Sequence, residues 1–319
     1  MPASLVPGLA LLAALGGTPA KQRPALNPSE CVDCHRAETE AWSRSPHARS
    51  RINALFVASF ARSRLRWCLD CHAPRLQDDR ARQSSIDCAV CHVRDGAVLT
   101  SHAPTIAGLR AHRMTEAPSL GAVAACQGCH QFNAPAAMQA PLHFTATPMQ
   151  DTVGEWSRGP MGRAGTPCQS CHMAAGNHDL EGGHDVDLLR RTVAVEVVPV
   201  DGGYAVALRA HGAGHEVPTG DPFRRFELEV RSANSDATVA VRRFGRTLGD
   251  RTDGGWQVID TAAPTPGAGT SVSPAQVIAT PPAGASWVLT YRRDEPELEG
   301  TLPEAEYEVE VTRGAFGPR

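Results

Sequence analysis

The chain has 319 residues, of which 42% are apolar and 20% charged, and its formal net charge is −3. This is the composition of a globular protein long enough for two domains, and the near-neutral charge argues against a nucleic-acid partner. Only 5% of the residues are aromatic, which is few for a core of this length. We therefore expect something other than side chains to fill part of the interior.

Residues 1–20 have the pattern of a secretion signal peptide. Residues 9–15 are apolar, and residues 18–20 are small enough for cleavage before Lys21. The basic residue that usually precedes the apolar run is missing. The run is too short to span a bilayer, no later segment is apolar enough to do so, and no cysteine precedes Cys31 to carry a lipid anchor. The sequence predicts a periplasmic or extracellular protein without a transmembrane segment.

All ten cysteines fall in one pattern, in which a C-x-x-C pair is followed at once by histidine. This is the attachment signal of c-type haem. On a helical turn residues i and i+3 share a face, so two thiols can form thioethers with one porphyrin. The histidine comes next on that face and reaches the iron as proximal ligand. In chain order, motifs 1 to 5 are Cys31, Cys34 and His35; Cys68, Cys71 and His72; Cys88, Cys91 and His92; Cys126, Cys129 and His130; Cys168, Cys171 and His172.

Zinc sites and disulfides are the structural alternatives for these cysteines. Zinc uses C-x-x-C pairs in twos, with no need for histidine directly after each pair. Disulfides suit an exported chain but do not select that histidine either. Since histidine supplies only 13 of the 319 residues, five consecutive matches favour haem attachment. The sequence therefore predicts five covalent haem c groups.

The chain divides into two regions of different texture. Residues 21–190 hold all the motifs among frequent Pro and Gly, which indicates loops and short helices wrapped around cofactors. From about residue 191, apolar and polar residues alternate and cysteine is absent. We predict an α + β protein in two domains, a loop-rich, mainly helical multihaem domain over 21–190 and an immunoglobulin-like β-sandwich over 191–319. The predicted strands are 192–198, 204–208, 226–230, 238–242, 287–291 and 307–311.

An internal repeat links the motifs. Residues 42–49, W-S-R-S-P-H-A-R, match residues 156–163, W-S-R-G-P-M-G-R. Each copy follows one haem motif and precedes another, and motif 3 lies between the copies. The alignment sets His47 opposite Met161, and both residue types are good ligands of haem iron.

Five six-coordinate haems need five distal ligands. His47 is predicted from the repeat, and His215 from a Gly- and Pro-rich loop that lets backbone approach a flat cofactor. Binding by His215 would fix the β region to the haem region. His178 and His184 flank a glycine-containing segment, and His112 lies between motifs 3 and 4. These five are the predicted distal ligands; weaker candidates are His102, His143, His211, Met149 and Met161.

The chain resembles the exported multihaem cytochromes c related to the tetrahaem cytochrome c partner of hydroxylamine oxidoreductase. The resemblance rests on motif 1 with the Trp42 repeat, the Trp156 repeat before motif 5, and two histidine segments, His178 to His184 and Gly214 to Gly220. It covers about residues 28–232. In this family the histidine after the Trp-Ser pair is typically a distal ligand, which the resemblance transfers to His47. The second copy departs from the family pattern at Met161.

Three functions compete on this evidence. The first is an electron carrier in which packed haems relay electrons between redox partner proteins. The second is a reductase or oxidase of small nitrogen or sulfur compounds at a five-coordinate haem, although no C-x-x-C-Lys motif marks such a haem. The third is a subunit of an outer-membrane or filament assembly, completed by a ligand from a neighbouring subunit. We predict the electron carrier.

Overall fold

A computed structural model describes residues 28–75, 85–137, 141–235, 237–250, 256–265, 270–295 and 298–317. The predicted signal peptide, residues 1–20, lies outside these ranges. None of the helices within them is long and apolar enough to cross a membrane.

Short helices dominate the first 190 residues, and three of them, α4, α5 and α7, contain a complete haem motif. Side-chain caps fix where several begin: Asn53 accepts hydrogen bonds from the first turn of α3, and Asp87 does the same for α5. The helices are α1 (Pro28–Cys31), α2 (Arg36–Arg44), α3 (Ala54–Ser63), α4 (Cys68–His72), α5 (Cys88–His92), α6 (Ile106–Ala111), α7 (Ala124–His130), α8 (Thr152–Arg158), α9 (Pro160–Arg163), α10 (Gln169–His172) and α11 (Val186–Thr192).

Two small sheets interrupt these helices, and two larger sheets follow them. The strands are β1 (Val93–Arg94), β2 (Ala97–Thr100), β3 (Met114–Glu116), β4 (Gln131–Pro135), β5 (Phe144–Asp151), β6 (Val193–Val200), β7 (Gly203–His211), β8 (Arg225–Arg231), β9 (Thr238–Asp250), β10 (Trp256–Thr261), β11 (Thr270–Val272), β12 (Gln276–Ala279), β13 (Ser286–Arg292) and β14 (Glu308–Ala315). All six strands predicted from the sequence are confirmed, and several extend beyond the predicted limits.

The two larger sheets share one apolar core. Five antiparallel strands run in the order β10-β9-β8-β13-β14, while β7 pairs with β6 on one edge and with β11 and β12 on the other. Val206 and Leu208 of β7 meet Phe226 and Leu228 of β8 and Leu289 of β13, all fully buried. Burying these side chains supplies most of the hydrophobic stabilisation of this region. The α + β class is confirmed, while the immunoglobulin-like arrangement stays a prediction.

A buried carboxylate connects the helical region to the sheets. Glu155 of α8 is 1% exposed and accepts a hydrogen bond from Thr219, 2.5 Å away, in the loop between β7 and β8. Arg246 of β9 forms an ion pair with the same carboxylate and also donates to the Gly220 carbonyl at 2.8 Å. Burial nevertheless dominates and raises the pKa of Glu155 to about 7, against the opposing effects of Arg246 and Thr219.

This raised pKa predicts a pH-dependent stability. The folded protein holds the Glu155 proton more tightly than the unfolded chain, so its stabilising contribution is complete below the unfolded pKa of 4.5 and is lost as the pH rises through about 7. We expect Glu155→Gln to remove on the order of 3 kcal/mol of pH-dependent free energy of unfolding. Urea titrations at pH 4.5 and pH 8 measure this, with the exposed Glu116→Gln as control. The same change in free energy of unfolding between the two pH values in wild type and in Glu155→Gln would contradict the prediction.

Candidate haem-binding site

The interior of the helical region is not filled by large side chains. Of the buried apolar residues before residue 190, all except Leu65 and Leu189 are alanines. The same region leaves large apolar side chains exposed: Val32, Ile52, Val57, Ile106, Leu109 and Phe144. Apolar side chains left exposed in this way are expected to cover an apolar cofactor. This pattern supports the expectation that side chains alone do not fill the interior.

Each haem motif forms a single helical turn. In motif 1 the His35 amide donates to the Cys31 carbonyl at 2.9 Å, and in motif 5 the His172 amide donates to the Cys168 carbonyl at 3.0 Å. These bonds bring both cysteines and the histidine to one side of the turn. None of the ten cysteines, all of them described, forms a disulfide, so both sulfurs of each motif can be attached to a porphyrin.

Four of the five motif histidines face a second histidine from elsewhere in the chain. The separations between ring centroids are 6.3 Å, 6.2 Å, 6.2 Å and 6.1 Å. In the order of these distances, the pairs are His35 with His112, His130 with His47, His92 with His178, and His172 with His215. The structure thus brings four of the predicted distal histidines opposite a predicted proximal one.

This spacing fits one iron atom between two imidazoles. A metal–imidazole bond of about 2.0 Å and roughly 1.1 Å from nitrogen to ring centre give about 6.2 Å across a bis-histidine iron. Two rings stacked face to face lie closer, as Phe56 and His72 do at 4.1 Å. Among the described residues no group of three or more His, Cys, Asp or Glu is arranged to hold a metal ion. The remaining ligands of an iron held between two such imidazoles would be the four porphyrin nitrogens of a haem.

Backbone carbonyls set the tautomer of these imidazoles. A carbonyl accepts only, so an Nδ1 atom beside one carries the proton and leaves the Nε2 lone pair free for a metal. His92 Nδ1 faces the Leu99 carbonyl at 3.1 Å and His172 Nδ1 faces that of Glu181 at 2.6 Å. The same arrangement holds for His72 with Ser50, His178 with Gly176, and His215 with Glu216. The sequence carries no local signal for these carbonyl partners.

Burial keeps several of the imidazoles neutral, as iron ligation requires. It lowers the pKa of His130 to about 4, with a further contribution from His47. The pKa of His47 and that of His215 are also lowered, mainly by burial.

His72 and His184 are arranged differently. The ring contacts of the described residues include Phe56 against His72, but no imidazole opposite it at the spacing of the other four. His184 Nδ1 contacts the guanidinium of Arg293. Burial, followed by the charges of Arg293, Arg224 and Arg49, lowers the pKa of His184 to about 3.

The three weaker histidine candidates make no ring contact with a motif histidine in the described parts of the chain. His211 Nδ1 faces Thr270 at 3.1 Å on a strand end, and Met161 packs its sulfur against Gly214. His102 and His143 make no ring contact with a motif histidine within the described parts of the chain. In the four described pairs the residue opposite the motif histidine is a histidine and not a methionine.

The internal repeat is preserved as a set of equivalent hydrogen bonds. Trp42 Nε1 donates to the Ile86 carbonyl and Trp156 Nε1 to the Thr166 carbonyl, both at 2.9 Å. Ile86 lies two residues before motif 3, and Thr166 two residues before motif 5. In return, the Ile86 amide donates to the His47 carbonyl and the Thr166 amide to the Met161 carbonyl. The repeat therefore anchors the start of motifs 3 and 5.

Thiols of different motifs are in contact. The first cysteines of motifs 1 and 3 are hydrogen-bonded to each other, as are the first cysteines of motifs 4 and 5 and the second cysteines of motifs 2 and 4. In each contact the bond lowers the pKa of one thiol to about 7. These contacts join Cys31 to Cys88, Cys168 to Cys126, and Cys129 to Cys71, with the lowered thiol first.

The fold is shared with a known cytochrome. The chain is similar to the crystal structure of a penta-haem cytochrome c552 from Thermochromatium tepidum, with a TM-score of 0.64 and 19% identity over 91% of this chain and 98% of that one. No family model matches the sequence. No curated protein matches it. The likeness shows that this chain has the fold of a multihaem cytochrome c; the relation to the hydroxylamine oxidoreductase partner stays a prediction.

The repeat predicts a local effect of losing either tryptophan N–H group. We expect Trp42→Phe to speed amide hydrogen exchange in residues 88–92, and Trp156→Phe to do so in residues 168–172, each by about five- to tenfold, because a hydrogen bond worth about 1 kcal/mol is lost. Trp287→Phe is the control, since Trp287 Nε1 has no hydrogen-bond partner among the described residues. Unchanged exchange in both repeat variants would refute the anchoring role.

Proposed function

We propose that this chain is an exported pentahaem cytochrome c that relays electrons between redox partner proteins. It would comprise a haem domain over 21–190 and an immunoglobulin-like β domain over 191–319. The observation that carries the proposal is the set of four imidazole pairs, each with one member directly after a C-x-x-C pair and each spaced for one iron. The similar fold of a penta-haem cytochrome supports it.

The residues present fit haem c at five places. The cysteines of each motif would hold the porphyrin, and the following histidine would bind iron from one side. His47, His112, His178 and His215 would complete four of these sites from the same chain. When bound, haem supplies an iron that exchanges single electrons. Two neutral imidazoles on each of four irons would leave no position there for a substrate, which favours electron transfer over catalysis at those four.

The thiol contacts support a continuous electron path. Because each thiol would be bonded to its porphyrin, two touching thiols imply porphyrin edges close together. The contacts link motif 1 to motif 3, motif 4 to motif 5, and motif 2 to motif 4. Cys91 of motif 3 lies close enough to Cys129 of motif 4 for its pKa to be raised, after the larger effect of burial. We infer a path through motifs 1, 3, 4 and 5, from which motif 2 branches at motif 4.

Haem loading is testable by mass. We expect the mature protein, expressed with a cytochrome c maturation system, to carry the mass of five haem groups, because each motif offers two thiols and the histidine that follows them. Replacing Cys88 and Cys91 together by serine should remove the mass of one haem, as measured by intact-protein mass spectrometry. A wild-type mass without added haem would end the proposal.

His215 connects the β region to motif 5. Since His215 lies in the loop after β7 and faces His172, we expect His215→Ala to leave that iron without its sixth ligand. One additional high-spin haem should appear in the electron paramagnetic resonance spectrum, with the haem count unchanged. His211→Ala, four residues earlier and exposed, is the control. A spectrum identical to wild type in His215→Ala would exclude His215 as a ligand.

A further inference from the structure

The first copy of the repeat contains an inserted segment. In this copy 38 residues lie between His47 and Ile86, whereas four lie between the equivalent Met161 and Thr166, although both pairs make the same backbone hydrogen bond. The additional residues contain motif 2. We call residues 51–85 the motif 2 segment.

The second copy contains an insertion of its own, at a different place. The motif histidine lies seven positions before the repeat tryptophan in the first copy and 26 positions before it in the second. The 19 additional residues are those between Gln131 and Asp151, which pair at the base of the β4–β5 hairpin, with Gln131 Nε2 donating to Asp151 Oδ1 at 2.9 Å. Beyond the hairpin the copies match again, because the serine after each tryptophan donates to the carbonyl three residues before it.

The two insertions are in contact through aromatic rings. The ring centroid of Trp67, in the motif 2 segment, lies 5.2 Å from that of Phe132 in β4 and 5.4 Å from that of Phe144 in β5. The interplanar angles are 89° and 60°, so both contacts are edge-to-face. Aromatic pairs in this geometry attract each other beyond what the area they bury contributes. One indole therefore connects the motif 2 segment to both strands of the hairpin.

This aromatic contact lies directly beside two haem motifs. Trp67 immediately precedes Cys68, and its carbonyl accepts a hydrogen bond from the Asp70 amide at 3.0 Å in the first turn of motif 2. Phe132 lies two residues after His130, the last residue of motif 4. The second cysteines of the same two motifs are hydrogen-bonded to each other. Motifs 2 and 4 are thus joined both at their thiols and through the rings that flank them.

The other end of motif 2 is fixed to the first copy of the repeat. Ser50 Oγ donates to the His72 carbonyl at 2.8 Å, and His72 Nδ1 faces the Ser50 carbonyl at 3.0 Å. A helix of five residues such as α4 is marginally stable alone. It is held at His72 by the first copy and at Trp67 by the hairpin of the second. The direction of motif 2 relative to motif 4 therefore depends on the Trp67 contact.

We propose that Trp67 is a positioning residue: held between Phe132 and Phe144, it orients motif 2 so that the haem of motif 2 lies against the haem of motif 4. The inference rests on the proposed haem loading, and it gives the branch at motif 4 a structural cause. The two insertions, each at a place where the other copy has none, together connect the fifth haem to the path. Phe144, which is 51% exposed, serves this contact.

Amide hydrogen exchange on the haem-loaded protein tests the contact from both sides. We expect Phe144→Ala to speed exchange in residues 68–72, and Trp67→Ala to speed it in residues 131–135, each by about three- to tenfold, because an aromatic pair is lost. Trp67→Phe keeps an aromatic ring and should retain most of the protection. His143→Ala, at the exposed neighbour of Phe144, is the matched control. Unchanged exchange in residues 68–72 of Phe144→Ala would refute the contact.

A potentiometric titration then separates positioning from a merely structural role. Two neighbouring haems interact electrostatically, so the reduction of one lowers the potential of the other. We expect Trp67→Ala to shift the potentials of two haems and to leave the other three as in wild type, with five haems still shown by mass. Five unchanged potentials despite faster exchange would overturn the proposal. A wild-type protein with fewer than five haems would instead count against the proposed function.

Discussion

One span between facing imidazoles recurs through the helical region, and it is the span that a single iron atom between them would impose. Four histidine pairs hold it within 0.2 Å of one another, from 6.1 to 6.3 Å. The partners come from distant parts of the chain, so each span is also a tertiary constraint. Helices of four to seven residues are marginally stable alone. They would acquire fixed positions where two histidines from different parts of the chain bind one metal.

This constraint explains why the two halves of the chain use different stabilising forces. The sheets bury Val206, Phe226 and Leu289 against one another in an ordinary apolar core. Among its described residues the helical half buries mostly alanine, as expected where flat cofactors would take the space of large side chains. The sheet region contacts the helical half through two residues of one loop: His215 faces His172, and Thr219 binds the buried Glu155.

Local patterns predicted local features well. The motif cysteines and histidines are adjacent in the chain, so their chemistry can be assigned without a fold, and strand alternation located β6, β7, β8, β9, β13 and β14. The pairing of His47 with His130 was out of reach, since it depends on how loops cross in space. His178 and His184 look alike in sequence, each near glycine; they are distinguished by Arg293, which lies 109 residues from His184.

The inserted segment between Ser50 and Ser85 suggests how an odd number of haem motifs arises. Two copies of a two-motif unit give four motifs. Both copies make the same tryptophan hydrogen bond, one at Trp42 and the other at Trp156. Motif 2 is the additional one. The segment that carries it leaves and rejoins the first copy at one place, where the Arg51 and Ile86 amides donate to the hydroxyls of Ser85 and Ser50. Lengthening or shortening this one segment would add or remove a motif, while the tryptophan hydrogen bonds of the repeat on either side keep their geometry.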